Sequence, residues 1–191
     1  MSKLEAVILA GGRSSRMGRD KALLPFGGYS SLAEYQYRRL LPYFERVWLS
    51  VKSDKFSFDA PLILDEGEIY SPMIALRSIL GHTAAEAVFV LGVDLPFVSI
   101  DLIQKLTALY RQSHGDIIIV ESPKGFQPLC AIYKTEIEEI VVSMINADEH
   151  RMGRLYEREE LKVVTFFCRQ ETQFHNLNEP KDFTAALKRI R

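Results

Sequence analysis

The run Glu5-Ala6-Val7-Ile8-Leu9-Ala10-Gly11-Gly12-Arg13-Ser14-Ser15-Arg16-Met17-Gly18-Arg19-Asp20-Lys21 passes without a break from an apolar segment into a loop of glycines, serines and cations. Unbroken hydrophobicity from Ala6 to Ala10 is the pattern of a strand covered on both faces, as in a parallel or mixed sheet between helices. The loop beyond it is shaped for an anion. Gly11, Gly12 and Gly18 let the backbone bend and approach a ligand closely, so that N–H groups can point at phosphate oxygens. Arg13, Arg16 and Lys21 supply charge, arginine as a planar fork and lysine as a mobile point charge.

Outward from this run, short Val/Ile/Leu-rich stretches alternate with longer amphipathic ones. The spacing predicts strands over Glu5 to Leu9, Arg46 to Val51, Leu62 to Leu64, Ala87 to Val93, Asp116 to Val120, Leu129 to Tyr133 and Lys162 to Phe167. Helices are expected over Ser31 to Leu41, Pro72 to Leu80, Ser99 to Gln112, Thr135 to Asn146, Gly153 to Glu157 and Glu179 to Ile190. Ser71-Pro72 offers an N-cap with proline at the first helical position, Ser99 precedes Asp101 in a first turn, and Asn178 is expected to cap the helix begun by Pro180. At the end of the third long helix, Gly115 is expected in the left-handed cap, with His114 beside the last carbonyls. The fold class is therefore α/β: a three-layer α/β/α, Rossmann-like arrangement around a mostly parallel, open twisted sheet. Residues 1–191 read as a single domain, long enough for a full core. Ligands in such sheets collect at the carboxyl ends of the strands, so chemistry is sought just past each strand.

Composition narrows the function. The chain sets 24 Lys and Arg against 25 Asp and Glu, for a formal charge of −1, and so lacks the basic excess of a nucleic-acid-binding domain. Any anion must be held locally. The N-terminus has neither the long apolar region nor the cleavage site of a signal peptide, and no stretch approaches the roughly 18 apolar residues of a membrane span. Cys130 and Cys168 lie far apart, and His82, His114, His150 and His175 make no ligand-spaced cluster, so zinc is not expected. Two reduced, buried thiols in a cytoplasmic protein is the reading.

The first loop fits neither common nucleotide motif. Gly12 and Gly18 are separated by five residues and followed by Arg19, which breaks the G-x-x-x-x-G-K-[ST] pattern, and G-x-G-x-x-G is absent. Further carboxylates stand just past strands. Asp94, in Asp94-Leu95-Pro96, leaves a strand end where proline turns the chain out of the sheet, a place suited to a cation. Asp65 comes directly after Leu62-Ile63-Leu64.

Leu9-Ala10-Gly11-Gly12, Ser14, Arg16-Met17-Gly18 and Asp20-Lys21 resemble the nucleotidyltransferase signature L-A-G-G-x-S-x-R-M-G-x-D-K, most closely that of molybdenum cofactor guanylyltransferases, over thirteen residues with no insertion. The resemblance implies a nucleotidyltransferase-type fold, GTP and molybdopterin as substrates, and Mg²⁺. It implies that Leu9, Ala10, Gly11, Gly12 and Lys21 bind the nucleotide, that Arg16, Lys21 and Asp94 are catalytic, that Asp94 holds the metal, and that Asp65 contacts the guanine nucleotide at base or ribose. Ser50 stands where relatives often carry a nucleotide-contacting Asn, and Ser71 replaces the glycine of a G-P-L turn. Gln127-Pro128 resembles the family's H-P-x-x-A strand on the acceptor side, and Asn176 and Asn178 its N-x-N-T-P-E segment, with Glu179 in place of Thr. The expected partners are these small molecules and, transiently, cofactor-handling proteins. A cytidylyltransferase of the same pterin, another small-molecule nucleotidyltransferase and a non-catalytic nucleotide-binding domain remain alternatives.

Overall fold

The computed structural model describes residues 4–12, 18–65 and 71–190. In chain order the elements are β1 (Glu5–Leu9), α1 (Leu32–Leu40), β2 (Val47–Val51), β3 (Leu62–Leu64), α2 (Pro72–His82), β4 (Ala87–Gly92), α3 (Ile100–Ser113), β5 (Ile117–Ser122), β6 (Gly125–Lys134), α4 (Glu138–Asn146), α5 (Met152–Leu155), β7 (Val163–Phe167) and α6 (Pro180–Arg189). The strands form a seven-stranded sheet in the order β3-β2-β1-β4-β6-β5-β7. β6 is antiparallel to both β4 and β5, and every other pairing is parallel.

Each face of the sheet carries its own core. Ala6, Ile8, Leu49, Phe89, Leu91, Ile118 and Ile132 pack against α1, α3 and α6 through residues such as Leu32, Leu40, Leu102, Leu106 and Phe183. Val7, Ile63, Val88, Val90, Ile117, Ile119 and Tyr133 pack against α2, α4 and α5 through Met73, Ile79, Val141, Met144 and Leu155. Alternate residues of one strand thus serve opposite cores, which is why the strands read as continuous apolar runs.

Local chemistry sets the helix starts. Ser31, Ser71 and Ser99 accept from Glu34 N at 3.1 Å, Met73 N at 3.2 Å and Leu102 N at 3.1 Å, each satisfying an orphan amide of a first turn. At α6 the N-cap is Glu179 rather than the expected Asn178, and Asp182 Oδ2 reaches back to Glu179 N at 2.9 Å. At the end of α3 it is His114 that adopts the left-handed conformation, at φ 50° and ψ 37°, and not Gly115. Gly115 meets a different demand: a Cβ there would lie 2.8 Å from Val164 and 2.9 Å from Ile118.

The largest departure from the sequence expectation is β6. It begins at Gly125, four residues before the expected Leu129, and makes a hairpin with β5. Pro128 hid it, since proline cannot donate to a ladder. The register jumps from Ile119↔Ala131 to Val120↔Gln127, and this irregularity leaves Pro128 outside the β5 pairing. Because Leu91 pairs with Cys130, the segment before Cys130 runs on past the end of β4, over the edge where Asp94 leaves the sheet.

Candidate active site

β1, β2, β3 and β4 all release their chains at the same edge of the sheet, and the polar side chains of that edge converge. Leu9 O accepts from Val93 N at 3.1 Å, Ala10 N donates to Ser50 O at 2.9 Å, and Asp65 N donates to Val51 O at 2.8 Å. These backbone bonds carry the parallel ladder beyond the strands and fix the loop roots before any side chain is considered.

On one side sits Asp94. Its Oδ2 lies 2.7 Å from Lys21 Nζ, and Lys21 Nζ also donates to Asn178 Oδ1 at 3.3 Å, joining groups 73 and 157 residues apart in sequence. The Asp94 carbonyl accepts from Leu177 N at 3.1 Å. Lys21 is aimed by a short helical turn whose N-cap, Asp20, accepts from Ala22 N at 3.0 Å. Gly92 makes room here, because a Cβ on it would lie 2.6 Å from Asp94 Oδ1. Glu179 turns its carboxylate onto Lys181 Nζ at 2.7 Å, so its charge is partnered at the start of α6.

On the other side sits Asp65. Its Oδ1 accepts from Ser50 Oγ at 2.5 Å, and its Oδ2 occupies the space where a Cβ on Gly11 would lie, 2.8 Å away. Burial pushes the Asp65 carboxyl above the usual aspartate range, against the opposing influence of the Ser50 hydrogen bond and of Lys52 and Lys55. Ser50 is fully buried and gives its hydroxyl to Asp65, so it stands behind the site rather than in it. Ala10 is buried, Leu9 and Gly11 are half-buried, and Gly12 is exposed with open space around it.

Arg13 and Arg16 fall outside the described residues, so the catalytic assignment of Arg16 has no structural counterpart here. On the acceptor side, Gln127 Nε2 donates to Ser122 Oγ at 3.0 Å and to Gly125 O at 3.3 Å, bracing the β5–β6 turn, and Pro128 O accepts from Tyr133 at 2.8 Å. Asn176 and Asn178 are exposed, and Asn178 N donates to Asn176 O at 3.1 Å.

Sequence reasoning missed one residue of this edge. Lys55 Nζ donates to Ala10 O at 2.8 Å and pairs with Asp20 at 2.5 Å, bridging the root and the far end of the first loop. Its signal was available: it lies four residues beyond β2, within reach of the rule that ligand-side groups lie past strand ends. Among the described residues no group of three or more His, Cys, Asp or Glu side chains forms a metal cage. A single carboxylate such as that of Asp94 could hold a cation only jointly with phosphate oxygens and water, the usual manner of Mg²⁺.

With this geometry in place, comparison with known proteins is direct. Residues 6–163 match the model of the MobA-like NTP transferase domain. A molybdenum cofactor guanylyltransferase of Campylobacter jejuni subsp. doylei is 37% identical over 193 aligned positions, covering 98% of this chain and 99% of that protein. Among solved structures, molybdopterin-guanine dinucleotide biosynthesis protein A of Archaeoglobus fulgidus superposes with a TM-score of 0.82 at 21% identity, over 97% of both chains. A manganese complex of a Mycobacterium tuberculosis protein superposes with a TM-score of 0.66 at 15% identity, over 98% of this chain and 99% of that one. At these identities the two structures are alike in fold.

Proposed function

The chain belongs to the MobA-like NTP transferase family, and from that premise we propose that it transfers the GMP moiety of GTP to the phosphate of molybdopterin, releasing pyrophosphate and forming a molybdopterin guanine dinucleotide. The observation that carries this reading is the convergence of Lys21, Asp94 and Asn178, from three distant segments, at the edge where the chain leaves β4. The domain doing this work spans residues 1–191.

In this reading Leu9, Ala10, Gly11 and Gly12 form the floor of the nucleotide site, with the Gly12 amide toward the triphosphate. Lys21 Nζ offsets charge on the β and γ groups and on the leaving pyrophosphate, and Arg16 does the same. Asp65, aimed by Ser50, accepts from the guanosine. Asp94 holds Mg²⁺, which when bound supplies charge neutralisation at the phosphate oxygens. Gln127, Pro128, Asn176 and Asn178 border the acceptor, whose phosphate, already largely ionised at neutral pH, attacks the α-phosphorus in line. No general base is required. Positioning and electrostatic stabilisation dominate such chemistry. In this reading the protein acts in the cytoplasm and meets cofactor-handling proteins transiently. Among the described residues no helix is long and apolar enough to cross a membrane.

The deciding assay is pyrophosphate release from GTP with Mg²⁺ and molybdopterin. Release that requires both substrates supports the transferase reading, and none at any pterin concentration overturns it. A ranking of GTP, CTP, ATP and UTP by thermal shift tests the base, since a ligand bound only by the folded state raises its midpoint. CTP ahead of GTP would overturn guanylyl transfer.

A further inference from the structure

Helix α1 places two polar side chains, one turn apart, in the apolar layer under the Asp94 segment. Gln36 is fully buried, and its Nε2 approaches Gly92 O at 3.5 Å and Val93 O at 3.4 Å. Arg39 donates through Nη1 to Pro96 O and through Nη2 to Val98 O. These four carbonyls flank Asp94 on both sides. Between them the segment folds into tight turns, Leu95 N reaching Gly92 O at 3.1 Å and Val98 N reaching Leu95 O at 3.4 Å.

The arrangement is costly. Arg39 is half-buried, and a desolvated cation ordinarily gains from a counter-charge, yet among the described residues no carboxylate pairs with its guanidinium, whose pKa burial pushes down while Tyr35, with its ring centroid 5.7 Å from Arg39 Cζ, opposes the shift. Arg39 Nε and Gln36 Oε1 are buried without a hydrogen-bond partner. Apolar residues of similar size would fill this layer without leaving such groups unsatisfied. The fork geometry of arginine is what two carbonyls two residues apart can use, and lysine cannot reproduce it.

We infer that Gln36 and Arg39 form a carbonyl clamp that fixes the backbone carrying Asp94 and thereby sets the affinity of the site for a divalent cation bound with nucleotide. Both are positioning residues, acting through Asp94. The metal part of this inference rests on the proposed role of Asp94 above, whereas the clamp itself does not.

The test uses the full chain with Arg39→Met, Arg39→Lys and Gln36→Leu, alongside wild type and Asp94→Asn. Mn²⁺–GTP affinity is measured by calorimetry, metal-free GTP affinity in parallel, and amide exchange is monitored over residues 92–98. Arg39→Met is expected to weaken Mn²⁺–GTP binding about tenfold while metal-free GTP stays within about twofold, with Arg39→Lys recovering only part of the loss and Gln36→Leu losing less. Exchange at the Leu95 and Val98 amides is expected to accelerate in Arg39→Met. Should Arg39→Met fail to fold, Arg39→Lys and Gln36→Leu carry the same comparison. A variant with a lowered Tm but unchanged Mn²⁺–GTP affinity, in a background where Asp94→Asn does weaken it, overturns the inference and leaves a structural role only. If Asp94→Asn binds Mn²⁺–GTP as wild type does, the metal assignment of Asp94 fails instead, and unaltered exchange over 92–98 then sinks the clamp by itself.

Discussion

At the amino ends of the strands, Glu5 accepts from Trp48 Nε1 at 2.8 Å and Thr83 Oγ1 at 2.6 Å, Glu86 accepts from Tyr110 at 2.9 Å, and Asp116 accepts from Lys162 N at 2.8 Å and Lys134 Nζ at 3.2 Å. At the carboxyl ends, Asp94 meets Lys21 at 2.7 Å and Asp65 meets Ser50, each beside a glycine whose absent side chain gives the carboxylate room. Both edges hold partly buried acids, but to different effect. The amino-end carboxylates are fastened to neighbouring strands and helices and tie the layers together. Those at the carboxyl end are presented toward the first loop. The two aspartates with resolved shifts also differ in sign. Asp116 is below the usual range: burial pushes it up, but the Lys162 amide and Lys134 outweigh that effect, whereas burial holds Asp65 above the range. The same sheet thus uses acids at one edge as fasteners between layers, while at the other Asp65 and Asp94 stand beside residues of the first loop, Gly11 and Lys21.

The contrast is broken if carboxyl-end changes act mainly on stability. Lys21→Ala and Asp94→Ala are expected to lower GMP transfer by about a thousandfold or more, roughly 4 kcal/mol of barrier, with folding intact. Steady-state pyrophosphate release and a thermal melt check the pair, and wild-type turnover in Asp94→Ala would remove its metal role. Next in size, Gly92→Ala is expected to cost about 1–3 kcal/mol, expressed mainly in activity, because the new methyl meets Asp94 Oδ1 at 2.6 Å and Leu129 at 3.3 Å. Its measurement is kcat/KM beside Tm.

Amino-end substitution should behave in the opposite way. Glu5→Ala leaves the Trp48 and Thr83 donors unpaired and is expected to cost about 1–3 kcal/mol of folding stability with unchanged kcat/KM. Urea unfolding reads the first quantity and the transfer assay the second.

The smallest effects concern pH and carry opposite signs. Asp116, depressed in the folded state, contributes stability above the ordinary aspartate pKa, and this is lost as pH falls through its folded value. Asp65, raised in the folded state, contributes stability below the ordinary aspartate pKa, and this is lost as pH rises through its folded value. Asp116→Asn should therefore lower Tm at neutral pH and flatten the acid limb. Asp65→Asn should remove the loss that sets in as pH rises above the ordinary aspartate pKa, while weakening discrimination of GTP from ATP. Melting curves from pH 3 to pH 8 would expose a shared sign, which would erase the difference between the edges.

Much of this was legible in the chain, and the exceptions share a cause. Asp94 and Asp65 stand out in the chain because each comes directly after an apolar run, so strand and candidate site are written contiguously. Lys55 was passed over because its partners, Ala10 and Asp20, lie 45 and 35 residues away. Ser50 was expected to touch a ligand, but its hydroxyl meets Asp65 across two parallel strands, a neighbour that only register supplies. The early start of β6 escaped because Pro128 is read locally as a strand breaker, while an irregular pairing accommodates it. The exchange of roles between His114 and Gly115 has the same origin, for packing against Val164 and Ile118 is a tertiary fact.

The sequence by itself determined the layers of the fold and the family, because hydrophobic periodicity and contiguous motifs are local properties of the chain. Tertiary structure decided which charges meet. Lys21, Asp94 and Asn178 come together, and Gln36 and Arg39 grip the carbonyls around Asp94, because parallel strands bring their carboxyl ends to one edge and a helix packs beneath it. Contacts between residues tens of positions apart depend on register and packing, and neither is encoded in any short stretch of residues.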